Sequence, residues 1–117
     1  MRLNEIDYPD ARPIDGYGPG FFRVDGKIIQ GNVAVLPSGV KPWGGFDDTE
    51  PLIAALGAMD VLFIGTGAEI AHVPADFRTA LEQAGIGVES MATPAACRTY
   101  NILLSEGRRV GVALIAV

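Results

Sequence analysis

Two short segments hold most of the residues with chemistry to offer: Gly65-Thr66-Gly67, and Thr93-Pro94-Ala95-Ala96-Cys97-Arg98 with Asn101 one helical turn further on. Glycines on either side of a threonine let backbone N–H groups turn toward a bound anion, and a helix opening at Pro94 would offer further free N–H groups and a favourable dipole. Arg98 lies one turn into that helix, within reach of bound negative charge, and Asn101 follows along the Cys97 face. The chemistry implied is capture of a small anion or carboxylate by Gly65, Thr66, Gly67, Thr93, Cys97, Arg98 and Asn101. A plainer reading stands beside it, in which the glycines are turn residues and Thr93 caps its helix.

Covalent chemistry has less to work with. Cys97 in a first helical turn would have its thiol pKa lowered by the dipole, but the only imidazole is that of His72, in another loop, and a cysteine among Ala95 and Ala96 also reads as a packed small hydrophobe. One His and one Cys cannot assemble a zinc site of the usual kind. Gly65 to Ile70 begins like a dinucleotide fingerprint, yet Ile70 stands where the third glycine is needed and the helix starts only near Pro74. No Gly-Lys-Ser/Thr follows, so a phosphate-binding P-loop is absent. Asp47-Asp48 with Glu50 lacks metal-loop spacing and reads as helix capping and solvation. Trp43, between Pro42 and Gly44, lines a pocket or covers one end of the core. The sequence therefore yields no catalytic residue, metal ligand or cofactor.

These segments need a scaffold to bring them together. Pro19-Gly20 suits a type II turn and Asp25-Gly26 a type I′ turn, so Phe21–Val24 and Lys27–Gln30 form a β-hairpin. Asn32 to Leu36 and Val40 to Trp43 extend an antiparallel, local first half. A short helix follows Asp47-Asp48-Thr49, whose oxygens are cap candidates. Val61–Ile64 reads as a strand buried on both faces, and Phe77, Ala80, Leu81 and Ala84 then recur at helical spacing up to Gly85. Ile86 to Met91 is a strand, Thr93-Pro94 opens a helix that Gly107 ends near Arg108-Arg109, and Val110 to Val117 is the last strand. Strand-helix-strand-helix-strand predicts helices on a largely parallel sheet, mixed once the hairpin is added. The fold expected is an α/β domain with helices packed on a central mixed sheet and an N-terminal antiparallel β-hairpin, spanning 1–117 as a single domain. If Val61–Ile64 and Val88–Met91 run parallel, the loops after them emerge at one sheet edge, where such folds place ligands.

Composition sets outer bounds. The 117 residues are 49% hydrophobic and 20% charged, with net charge −5 and no basic stripe, which argues against nucleic-acid binding. The single cysteine excludes an internal disulfide. Acids Glu5 and Asp7 occupy the place of a signal peptide's apolar stretch, and no apolar run nears the ~20 residues needed to cross a bilayer. A soluble, cytoplasmic protein without membrane insertion is expected.

Four segments carry a resemblance: Ile14-Asp15-Gly16-Tyr17-Gly18, Val40-Lys41-Pro42-Trp43, Leu62-Phe63-Ile64-Gly65-Thr66-Gly67, and Met91-Ala92-Thr93-Pro94-Ala95-Ala96-Cys97-Arg98-Thr99-Tyr100-Asn101-Ile102-Leu103. In these the chain resembles a small α/β family of uncharacterised proteins related to a mitochondrial respiratory complex I assembly factor. The resemblance implies a three-layer α/β/α arrangement and no catalytic residues. One departure from the family is expected: the chain stops within or at the end of the Val110–Val117 strand, where relatives often continue, so a C-terminal tail would be missing. The function expected is that of a non-enzymatic accessory or interaction protein with a protein partner, assisting assembly of a respiratory or membrane protein complex. The alternative is a binding protein or enzyme for a small anionic ligand at Gly65–Gly67 and Thr93–Arg98.

Overall fold

The structure, a computed structural model, describes residues 12–117. Its strands are β1 (Ile14–Gly18), β2 (Phe21–Val24), β3 (Lys27–Gln30), β4 (Val33–Leu36), β5 (Gly39–Pro42), β6 (Val61–Gly65), β7 (Gly87–Met91) and β8 (Val110–Leu114). Helices α1 (Glu50–Ala54), α2 (Ala75–Gln83) and α3 (Thr93–Ser105) connect the later strands, with a 3₁₀ turn at Leu56–Ala58. Strands β1-β2-β3 form one antiparallel sheet, and the other five form a mixed sheet in the order β5-β4-β8-β6-β7. Within the mixed sheet β6, β7 and β8 are parallel, while β4 runs antiparallel to both β8 and β5.

The alternation of side chains along the central strands builds two cores. Leu62 and Ile64 of β6, with Ala34, Leu36 and Ala113, face Leu52 of α1 and Phe77 and Leu81 of α2. Phe63, Val33, Val35, Val112 and Leu114 face the opposite way, against Tyr100 and Leu104 of α3 and Phe22 and Val24 of β2. The α/β/α layering and mixed sheet are as expected, but the third layer is composite: α3 lies beside a small sheet of its own. The hairpin does not extend the central sheet, whose mixed character comes from β4 and β5 instead.

Local chemistry accounts for most boundaries. Asp25 and Gly26 both take positive φ, 53° and 76°, which is the type I′ turn that matches the twist of β2 and β3. Gly85 and Gly107, at φ 104° and 81°, end α2 and α3. Two capping expectations fail. Thr49 makes no side-chain cap to α1, and the neighbouring Asp48 carboxylate instead accepts the Gly44 N–H at 2.9 Å. Ala92, not Thr93, occupies the cap position of α3. Arg109 reaches the Asp60 carboxylate at 2.9 Å ahead of β6 rather than the end of α3, and this partner holds the Asp60 carboxyl below its ordinary range.

Candidate functional site

Parallel pairing of β6 with β7 sets the loop after Gly65 beside the start of α3. Thr66 N–H donates to Met91 C=O at 2.9 Å, and Thr93 N–H donates to Gly67 C=O at 2.8 Å. The fully buried Thr93 hydroxyl completes the joint: it accepts the Gly67 N–H at 2.9 Å and donates to Ile115 C=O at 2.8 Å. The reason Thr93 is not a cap is now visible, since its oxygen ties the β6–α2 loop to the segment after β8. Thr66 Oγ1 accepts the Ala71 N–H at 3.0 Å and stands 2.8 Å from Glu69 C=O and 3.2 Å from Met91 C=O, with one proton to share between them. Gly65 is needed for closeness alone, because a Cβ there would sit 2.6 Å from Thr93 Oγ1 and 2.9 Å from Thr93 Cα.

Gly65, Thr66, Gly67 and Thr93 thus form a closed polar joint at the predicted sheet edge, in which the Gly67 N–H already has an acceptor. Cys97, Arg98 and Asn101 turn elsewhere. They line an open groove of about 320 Å³ between α3 and β1, with Asp15, Tyr17 and Ile102 opposite and beside them. Asn101 acts here as a substitute strand: its Oδ1 accepts the Ile14 N–H and its Nδ2 donates to Ile14 C=O, both at 2.8 Å. On the buried side of α3, the hydroxyl of the preceding residue, Tyr100, donates to Arg12 C=O at 2.9 Å.

Cys97 is buried on the groove floor, and desolvation pushes its thiol up to about 11. Burial thus outweighs the helix dipole, and of the two readings of Cys97 the packed small hydrophobe describes it. His72 sits on the exposed loop before α2, a helix on the opposite face of the sheet from α3. Arg98 is exposed and has no ion pair among the described residues. Trp43 is buried, donating its indole N–H to Asp48 C=O at 2.9 Å and packing on Phe46 and Phe77 at 5.7 and 6.1 Å. It closes the α1/α2 core. Among the described residues no group of three or more His, Cys, Asp or Glu could hold a metal ion, and no helix is long and apolar enough to cross a membrane.

Residue-level reasoning missed the β1 side of the groove. Asp15-Gly16-Tyr17-Gly18 shows no strand alternation, and the ladder to β2 is irregular between Ile14 and Gly16. The signal available was the resemblance itself, since Ile14–Gly18 and Met91–Leu103 are two of its four segments and face each other across this groove.

Comparison with known proteins follows the same segments. Residues 14–115 match a family described as protein of unknown function (DUF498/DUF598). The chain belongs to this family. A relative from Rhodobacter capsulatus, named as an uncharacterized protein, is 48% identical over 115 residues, covering 98% of this chain and 93% of that one. The NADH dehydrogenase (ubiquinone) 1 alpha subcomplex assembly factor 3 of Rattus norvegicus is 34% identical over 122 residues, and the match covers 98% of this chain and 66% of the assembly factor's length. Among solved structures, one titled an outer membrane protein from Bartonella henselae superposes with a TM-score of 0.85 at 35% identity, covering 95% of this chain and 99% of that one. The resemblance read from the sequence is thereby borne out.

Proposed function

We propose that this protein is a non-catalytic accessory factor that binds a protein partner in the cytoplasm and assists assembly of a respiratory or membrane protein complex. One observation carries the reading: the match to a complex I assembly factor runs through 98% of this chain, so the module shared with that factor is the whole fold described above. The closed joint supports it, since Gly67 and Thr93 bond each other, Thr93 also bonds Ile115, and Thr66 spends its hydrogen bonds on Met91, Glu69 and Ala71, all within the fold. The test is affinity capture of the tagged chain from its native cells, with complex I activity and assembly followed in a deletion strain. Recovery of respiratory-complex subunits and a delayed assembly intermediate are expected. A deletion strain with normal complex I, together with capture of no respiratory or membrane-biogenesis protein, refutes the proposal.

A second reading has one observation in its favour. Arg98 offers an exposed guanidinium without an ion pair among the described residues, at the rim of a groove floored by Cys97 and Asn101. That arrangement suits a small anionic ligand. A ligand present at 100 times its dissociation constant stabilises by about 2.7 kcal/mol, so a thermal-shift screen of carboxylates and phosphates detects it. A hit that Arg98→Ala leaves unchanged rules out this site.

A further inference from the structure

The described strands have four lateral edges, on β1, β3, β5 and β7. In an antiparallel ladder successive residues alternate between bonding their partner and facing outward. On β1 the outward pair at Ile14 is taken by Asn101. On β5 the outward residues are Val40 and Pro42, and proline has no N–H to give. On β7 the Val88 carbonyl accepts from Arg78 at 3.3 Å. The edge of β3 has no such obstruction among the described residues. Its two-residue turn from β2 makes Val24 and Lys27 a bonded pair, and Gly31 N–H donates to Gly20 C=O at 2.8 Å, so Ile28 and Gln30 direct their N–H and C=O groups outward.

Beside this edge runs a groove of about 330 Å³, walled by Ile28 and Ile29 on one side and by Gly39 and Val40 on the other. Ile28 is 48% exposed, a large apolar residue on an open edge. The chain's total of −5 is unevenly spread, residues 12–46 carrying four bases and two acids and residues 47–117 four bases and nine acids, and at the groove Asp25 is ion-paired with Arg12 at 3.1 Å, which leaves Lys27 as its unpaired charge. Two of those bases, Lys27 on β3 and Arg23 opposite Ile28 on β2, are exposed and without an ion pair among the described residues. Lysines on an edge discourage pairing with a like-charged or neutral strand. They favour a strand bearing carboxylates.

We propose that the β3 edge is a strand-addition site for an extended, acidic segment of a partner protein. The added strand hydrogen-bonds to Ile28 and Gln30, places apolar side chains in the groove against Val40, and sets its carboxylates near Arg23 and Lys27. This deepens the accessory role proposed above and rests on it only for the partner being a protein.

The test uses ¹⁵N-labelled full chain and a synthetic peptide, acetyl-Glu-Val-Glu-Val-Glu-Val-amide, with the Lys-Val counterpart as comparison. Amide exchange at Ile28 and Gln30 should slow on adding the acidic peptide, binding should weaken as salt rises, and the lysine peptide should bind at least about tenfold more weakly. Ile28→Pro deletes an outward N–H that the fold does not use and should abolish the response while leaving Tm unchanged. Lys27→Glu, an exposed change, should lower affinity for the acidic peptide and tests the same edge if the proline variant misfolds. The proposal is overturned by no response at millimolar peptide, by equal response to both peptides, or by shifts centred away from β3. Protection of Ile28 and Gln30 that rises with protein concentration alone also overturns it, since the edge would then serve a second copy. If Ile28→Pro still captures respiratory-complex subunits normally, the accessory role survives and this docking site does not.

Discussion

Thr93→Val removes one oxygen and keeps the shape of the side chain. It leaves the buried Gly67 N–H and the partly buried Ile115 C=O without partners in the folded state. Each such loss costs about 1–3 kcal/mol, and because one of the two groups keeps some access to water we expect about 2–4 kcal/mol in all. Against a total stability of about 5–15 kcal/mol this is a large fraction, equivalent to a fall in Tm of about 8–16 °C at roughly 4 °C per kcal/mol. Urea unfolding followed by Trp43 fluorescence measures it, with an unchanged slope confirming that the denatured state is not at issue. Thr93→Ser keeps both hydrogen bonds and loses a methyl group, so it should cost only about 1 kcal/mol. If Thr93→Val costs less than about 0.5 kcal/mol, or if the serine and valine variants are equally unstable, the hydroxyl does not hold the joint and the reasoning fails.

Other expectations follow from neighbouring contacts. Gly65→Ala should cost about 1–3 kcal/mol by overpacking against Thr93 and Leu114, and a double-mutant cycle with Thr93→Ala should recover part of that cost because one of the three obstructing atoms is gone. Asn101→Leu leaves both Ile14 backbone groups unpaired and should cost about 1–3 kcal/mol, with exchange at the Ile14 amide accelerating ahead of that in β2. Cys97 should resist iodoacetamide at pH 7.5 in the folded protein and react once urea unfolds it, because burial raises its thiol to about 11. The sign for stability follows: the unfolded thiol ionises near pH 9 and the folded one near 11, so this contribution is intact below pH 9 and is lost between pH 9 and 11. Tyr100, raised in the same direction by burial, adds to the loss at still higher pH, and urea midpoints measured across this range report both.

Turn chemistry was the most legible part of the sequence, because Asp25-Gly26, Gly85 and Gly107 act through their own backbone angles whatever surrounds them. The parallel pairing of β6 with β7 and the meeting of Gly67 with Thr93 were legible too, from the apolar run at Val61–Ile64 and the helical spacing after it. The use of Thr93 was not. A threonine before a proline at a helix start reads as a cap, and only the arrival of Ile115 from a distant strand gives its hydroxyl a different acceptor. β1 was hidden for a related reason, since its glycines carry no alternation and its edge is completed by the side chain of Asn101, 87 residues away. The separation of the hairpin into its own sheet depends on Phe22 and Val24 packing over Val33 and Val35, a contact between faces that local spacing does not encode.

The place of β8 in the large sheet sets an order of events. Residues 110–114 lie between β4 and β6, so residues 33–36 and 61–65 have no direct ladder to one another and wait on a segment made long after both. Until that segment is made, the β4–β5 and β6–β7 pairs have no strand between them to join them into one sheet. Closure is then a late, long-range event of the kind that slows folding.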